Sequence, residues 1–98
     1  MASYLMLFGF TEQGIQQIKD SPARVDAARE TIRSMGGEVR AFYAMMGAAH
    51  DTLFIVEAPN DEAVARMVFA IASRGFVRTE THRLFNENEF GKIVRSLP

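Results

Sequence analysis

Short apolar runs and polar breaks divide the chain into four strand-like segments. Residues 4–10 are apolar and aromatic without alternation, which predicts a strand that is buried on both faces. Residues 52–57 are β-branched and aromatic and follow residues 38–46 across a break of small residues, so the pair predicts an antiparallel hairpin. Residues 76–85 carry charges at regular intervals, which is typical of a half-exposed or edge strand.

Helix-boundary residues precede the stretches of helical periodicity between these strands. Ser21 followed by Pro22 predicts the first long helix, because a serine cap and a proline at the first helical position both suit a helix start. The polar segment before Ser21 predicts a loop with one helical turn. Asn60, which two acidic residues follow, predicts a second helix. Asn86 with Glu89 three positions later predicts a short C-terminal helix.

The element order is therefore β-α-β-β-α-β with a C-terminal helix, which is the ferredoxin-like arrangement of the α+β class. It predicts a four-stranded antiparallel sheet with two helices on one face. Both faces of the first and third strands are nevertheless apolar. One parity carries Leu5, Leu7, Leu53 and Ile55, and the other carries Met6, Phe8, Phe54 and Val56. The face without helices needs a cover.

Two covers for this second face remain open. A second copy can pack its own sheet against it, which gives an isologous dimer of the α+β-barrel type. Alternatively, the terminal helix folds across the open face of its own sheet. We favour self-association, because an exposed apolar surface of this size marks an interaction site.

Length and composition narrow the class of protein. A chain of 98 residues predicts a single domain over residues 1–98, and 48% hydrophobic with 23% charged residues indicates a folded protein. A formal charge of −1 does not supply a basic surface, so we expect no nucleic-acid partner. The absence of cysteine excludes disulfides and thiolate chemistry. The N-terminus has no leader pattern and no apolar run reaches membrane-spanning length, so we expect a cytoplasmic protein without a membrane partner.

Three groups of short motifs are spread over nearly the whole chain. They are Phe10-Thr11 with Gln13-Gly14 and Lys19-Asp20-Ser21-Pro22 with Arg24; Glu57-Ala58-Pro59 with Asp61-Glu62; and Val77-Arg78-Thr79 with Thr81 and Arg83. Together they resemble the GYD-domain family of small bacterial and archaeal proteins. The resemblance implies a ferredoxin-like, dimeric α+β barrel, and it implies no activity because the family has none established. At the motif that names the family, His50 stands in place of the tyrosine before Asp51, Ala48 or Ala49 lies near the glycine position, and Gly47 is displaced.

The turn of the predicted hairpin carries His50 and Asp51 side by side. An imidazole next to a carboxylate can act as an acid/base pair or as a proton-sensitive ligand contact, so His50 is a candidate catalytic residue, as is His82. The alternative is that Asp51 bonds turn backbone while His50 is solvated. The histidines show no metal-ligand spacing and the chain has no dinucleotide or phosphate motif, so we expect neither a metal nor a cofactor.

The last predicted strand carries a second candidate site. Thr79, Thr81 and Arg83 share one parity, and two hydroxyls with a guanidinium can bind a small anion or a carboxylate if they line a cavity between packed sheets. Tyr43 of the second strand can add a phenol. The alternative is that the charges protect an edge strand from wrong pairing and bind nothing.

Three functions follow from these candidates. The first is a homo-oligomeric module that binds or senses a small organic ligand through Tyr43, His50, Asp51 and the polar residues of the last strand. The second is a cofactor-free enzyme of the oxygenase, isomerase or decarboxylase type, with His50 or His82 as its acid/base. The third is a purely structural assembly subunit.

Overall fold

The computed structural model describes residues 1–47 and 49–98 and confirms the predicted order of elements. Its strands and helices are β1 Ala2–Phe10, α1 Glu12–Gln16, α2 Ser21–Ser34, β2 Glu38–Ala44, β3 Thr52–Ala58, α3 Asp61–Ala72, β4 Val77–Leu84 and α4 Glu87–Arg95. A turn of 3-10 helix, Ile18–Asp20, joins α1 to α2. The strands form one antiparallel sheet in the order β2-β3-β1-β4, so β4 is an edge strand as predicted. Ala48, which was aligned near the glycine of the family motif, lies outside the described residues.

Local capping residues fix where most of the helices begin. Asn60 Oδ1 accepts a backbone N–H of the first turn of α3 at 2.8 Å. Asn86 and Glu89 exchange hydrogen bonds of 2.8 and 3.0 Å in a capping box at the start of α4. The prediction for α2 was wrong by one residue: Ser21 is already helical and Asp20 is the cap residue, because the 3-10 turn runs directly into the helix.

One face of the sheet forms the hydrophobic core with α2 and α3. Phe54 is 2% exposed, and its ring meets those of Phe8 and Phe42 edge-on at 5.4 and 5.8 Å between centroids. Burial of each large side chain contributes about 1.5–3 kcal/mol, so this layer supplies most of the stability. The buried set is Tyr4, Met6, Phe8, Ala28, Ile32, Phe54, Val56, Ala58, Ala63, Val64, Met67 and Ile71.

The other face of the sheet is apolar but only half-buried. Leu5 pairs with Ile55 and Leu7 pairs with Leu53, and we call the side of the sheet that these four side chains occupy the open face. The helix α4 does not close this face, since none of its residues is buried. The alternative in which the terminal helix covers the sheet was therefore wrong. Among the described residues, no helix combines the length and the hydropathy that a membrane span requires.

The short helix α1 packs against the start of β4 at very close range. A Cβ at Gly14 would lie 2.0 Å from the carbonyl oxygen of Phe76, so only glycine fits here. Thr11 adds two hydrogen bonds, from its N–H to Phe76 O at 3.1 Å and from its hydroxyl to Gly75 O at 2.7 Å. These contacts hold Phe76 in a fixed position beside α2.

Candidate functional site

The predicted polar set of β4 lies on the face that the helices cover. Thr79, Thr81 and Arg83 pair with Phe8, Met6 and Tyr4, which point towards α2 and α3. The expectation that this set lines a cavity between two packed sheets was therefore wrong. Parity along one strand gives the grouping of the side chains but does not say which face the helices will cover.

Arg83 is engaged in contacts that attach α4 to the sheet. Its guanidinium donates to the carbonyl oxygen of Leu84 and to Glu89 Oε2 at 3.2 Å, and it stacks on the Phe85 ring at 4.4 Å. The hydrogen bond from the Asn86 backbone, followed by that from Arg83, lowers the pKa of Glu89. Arg83 thus has a structural partner for its charge.

Tyr43 lies far from the β4 set. It pairs with Leu53 on the open face, near the β2 edge of the sheet, and is 62% exposed. The hydroxyl of Thr81, on the other face, is buried and has no hydrogen-bond partner within the described part of the chain. The structure does not bring the phenol and the hydroxyls together.

His50 and His82 meet on the open face through a carboxylate that the sequence reasoning did not assign to a site. His50 Nε2 lies 3.4 Å from Glu80 Oε1, and His82 Nε2 lies 2.5 Å from Glu80 Oε2. The hydrogen bond from His82 is the main reason why the pKa of Glu80 is lowered. The shared parity of Glu80 and His82 on β4 was the available signal. Among the residues described, no group of three or more potential ligands is arranged to hold a metal ion.

Asp51 is held apart from His50 by the backbone of β1. Its carboxylate accepts the N–H of Phe10 at 2.8 Å, and its own N–H donates to Phe8 O at 2.8 Å. These bonds attach the β2–β3 connection to the end of β1. The neighbouring His50 is thereby directed across β1 towards β4.

A cavity of about 140 Å³ lies between the covered face of the sheet and the helices, and we call it the phenylalanine pocket. An apolar cavity of about 150 Å³ is large enough to hold a benzene ring. Its walls include five phenylalanine rings, which come from four different elements or their flanks. The lining residues are Phe8, Phe10, Ser21, Arg24, Val25, Ala27, Ala28, Phe42, Thr52, Phe54, Ile71, Arg74, Phe76 and Val77.

Two arginines lie in the wall of this pocket. The Arg24 guanidinium stacks on the Phe76 ring at 4.3 Å and donates to Gln17 O at 2.8 Å. Arg74, which follows α3, donates to Thr31 Oγ1 at 2.5 Å. Within the described residues neither arginine forms an ion pair with a carboxylate. No pattern in the sequence connects the two arginines, because they are far apart in the chain.

A wider groove of about 680 Å³ adjoins the phenylalanine pocket and is open to the surface. It shares Phe10, Val25 and Phe42 with the pocket and continues past Asp51 towards the exposed side chains of Ile15 and Ile18. Of the predicted site residues, Asp51 borders this groove, and none of them lines the pocket itself.

Solved structures with the same fold come from regulators and from an enzyme. A feast-or-famine regulatory protein of Mycobacterium tuberculosis, complexed with L-methionine, is 19% identical with a TM-score of 0.65 over 88% of this chain. This chain spans about half of that one, 51%. The 5-chloro-2-hydroxyhydroquinone dehydrochlorinase of Burkholderia phenoliruptrix AC1100, complexed with 2,5-dihydroxybenzoquinone, is 16% identical with a TM-score of 0.62, over 88% of this chain and 96% of that one. Identities this low show the ferredoxin-like fold alone.

Sequence comparison identifies the family. The model of the GYD domain matches residues 4–94. A protein of Thermus thermophilus, the glutamine synthetase and cystathionine beta-lyase binding protein, is 34% identical over 82 residues, which are 83% of this chain and 85% of the relative. The motifs quoted from the sequence lie within the matched range, and the chain belongs to the GYD domain family.

Proposed function

We propose that this protein is a self-associating module that binds a small organic molecule in the phenylalanine pocket. The observation that carries the proposal is the pocket itself, an apolar cavity of about 140 Å³ next to the core. Well-packed interiors contain few voids larger than a water molecule. Concave apolar cavities with a few polar groups are the usual form of small-molecule sites.

The pocket supports binding more than catalysis. Within the part of the chain that the structure describes, its lining contains no carboxylate, imidazole, amine or phenol that could transfer a proton. The candidate acid/base residues His50 and His82 contact Glu80 on the opposite face of the sheet. A binding or sensing role therefore fits this geometry better than a histidine-dependent enzyme does.

The structural neighbours support the same class of function. Each of the two named above was solved with a small organic molecule, an amino acid in one and a substituted quinone in the other. Self-association is supported by the open face, where four aliphatic side chains remain half-exposed in the single chain. The same face of a second copy is its natural complement, since an isologous contact pairs one patch with itself.

Thermal unfolding in the presence of ligands tests the binding proposal. A set of single-ring organic compounds and amino acids is screened against the unmodified protein and against two variants, Val25→Phe and Val68→Phe. Both valines are half-buried against the core, but only Val25 lines the pocket. We expect at least one compound to raise Tm by several degrees in the protein and in Val68→Phe, and not in Val25→Phe. No shift with any compound, or an equal shift in both variants, contradicts the proposal.

A second candidate function is the binding of a protein partner. It is favoured by the Thermus relative, which is described as binding two enzymes, and by α4, which has no buried residue. The exposed apolar side chains of α4 are Phe90, Ile93 and Val94, and that of Leu97 in the following turn is exposed too.

Sedimentation velocity with purified glutamine synthetase of Thermus thermophilus tests this second function. We expect a complex with the protein and with Phe69→Ser, and a weaker one with Phe90→Ser. Phe69 is the matched control, because it is an exposed phenylalanine on α3. Absence of a complex with the unmodified protein contradicts this function.

A further inference from the structure

We infer that the phenylalanine pocket selects a single-ring aromatic acid, with its ring among the phenylalanines and its carboxylate at Arg24 and Arg74. This inference rests on the proposed function and names the ligand class. It combines three observations: the size of the cavity, the aromatic character of its walls, and two arginines that form no ion pair with a carboxylate of the described residues.

The shape and walls of the pocket favour one planar ring. The volume of about 140 Å³ is close to the cavity of about 150 Å³ that accepts benzene, so one ring matches the pocket in size. Phe54 already meets Phe8 and Phe42 edge-on, and a further ring can continue this packing, since aromatic pairs prefer edge-to-face or offset contacts. A sugar would leave the hydroxyls that face the phenylalanine and aliphatic side chains without partners.

Arg24 places a positive charge where a helix is already positive. It lies in the first turn of α2, which contains no acidic residue, so the guanidinium and the helix N-terminus reinforce each other. Stacking on Phe76 and the bonds to Gln17 O and Gly14 O hold the group in place. One of its nitrogens makes these bonds, and the others have no hydrogen-bond partner among the described residues.

Arg74 reaches the same pocket from the end of α3. Its hydrogen bond to Thr31 joins it to α2, the helix that also carries Arg24. Planar guanidiniums match the two oxygens of a carboxylate, and hydrogen bonds of this kind are stronger than neutral ones. A neutral ring would bury the apolar walls of the pocket but would bring no negative charge to the guanidiniums of Arg24 and Arg74.

Calorimetric titration with benzoate and benzamide tests this inference, because the two probes have nearly the same shape and differ in charge. We expect benzoate to bind about tenfold or more tightly than benzamide. Arg74→Gln should remove that preference while leaving the affinity for benzamide unchanged. Arg74 is exposed and makes one side-chain bond, so this variant keeps the fold. Arg66→Gln, an exposed arginine of α3 outside the pocket, is the matched control.

The outcomes separate this inference from the proposed function. Equal affinities for benzoate and benzamide, both abolished by Val25→Phe, overturn the choice of an acid while the binding function stands. Equal loss of benzoate binding in Arg74→Gln and Arg66→Gln also overturns it, because the effect is then one of net charge. Cyclohexanecarboxylate that binds as tightly as benzoate overturns the preference for a planar ring. If neither probe binds and no compound of the wider screen does, both proposals fail.

Discussion

The two faces of the sheet have the same apolar pattern but different chemistry. The covered face is buried under α2 and α3 and encloses the phenylalanine pocket with its two arginines. The open face is half-exposed and carries the imidazole and carboxylate cluster of His50, Glu80 and His82. The proposed ligand binding and the proposed self-association therefore lie on opposite sides of one sheet. A substitution on one face of the sheet therefore makes no direct contact with the other face.

The largest difference between the faces should appear in stability. Phe54→Ala should lower the free energy of unfolding by about 3–5 kcal/mol, because it leaves a cavity at a side chain that is 2% exposed. Leu53→Ala, its neighbour on the open face, should cost clearly less at protein concentrations where the chain is monomeric. Urea unfolding at low concentration measures both, and equal losses would remove the distinction between the faces.

A charge on the open face should abolish self-association. Leu7→Glu places a second carboxylate beside Glu80 in the expected sheet-to-sheet contact, which should cost about 3 kcal/mol or more, about a hundredfold in the dissociation constant. Phe69→Glu, an exposed apolar position on α3, should leave the association unchanged. Sedimentation equilibrium gives both constants. Dimerisation that survives Leu7→Glu would show that the open face is not the interface.

The contact of α1 with β4 should be sensitive to a single methyl group. Gly14→Ala should destabilise the protein by about 1–3 kcal/mol, since the added Cβ meets a backbone oxygen at 2.0 Å and α1 must shift. Phe76 shifts with it, so binding in the phenylalanine pocket should weaken too. Gly91→Ala in α4 is the control, because there the nearest atoms belong to the flexible side chain of Arg95. Thermal unfolding of both variants checks the expectation, and a Gly14→Ala protein as stable as Gly91→Ala would refute it.

The smallest effect should be the change with pH in the stability that Glu80 contributes on the open face. The pKa of Glu80 is lowered in the folded protein, mainly by His82. The contribution of Glu80 to the free energy of unfolding is therefore present above its unfolded pKa of 4.5 and is lost as the pH falls through its folded pKa. The difference in stability between the protein and Glu80→Gln should therefore shrink below pH 4.5. Urea unfolding from neutral to acidic pH measures it, with the exposed Glu62→Gln as the control. A difference that grows towards acidic pH would contradict the lowered pKa.

The fold could be predicted from the sequence because the signals that specify its elements are local. Helix capping depends on a few neighbouring residues at Asn60 and Asn86. The apolar residues on both faces of β1 and β3 are likewise read from short stretches of sequence. The choice of the face that the helices cover is a tertiary property, so the parity of β4 does not say on which side of the sheet Thr79, Thr81 and Arg83 lie.

The candidate site was harder to predict, since it is assembled from distant parts of the chain. Phe10 lies in β1, Phe42 lies in β2 and Phe76 lies just before β4, and no spacing along the sequence connects them. The contact of His50 with Glu80 depends on the two bonds of Asp51 to β1, which fix the β2–β3 connection at the end of the sheet.

The attachment of α1 to β4 has a consequence for the order of folding. Thr11 and Gly75, which hold Phe76 at the pocket, are 64 residues apart in the sequence. Contacts of such separation form late, after the entropy of closing a long loop has been overcome. We therefore expect the wall of the pocket to be completed after the folding transition state. A bound ligand would therefore slow the unfolding rate while leaving the folding rate unchanged, so that it acts on the lifetime of the native chain.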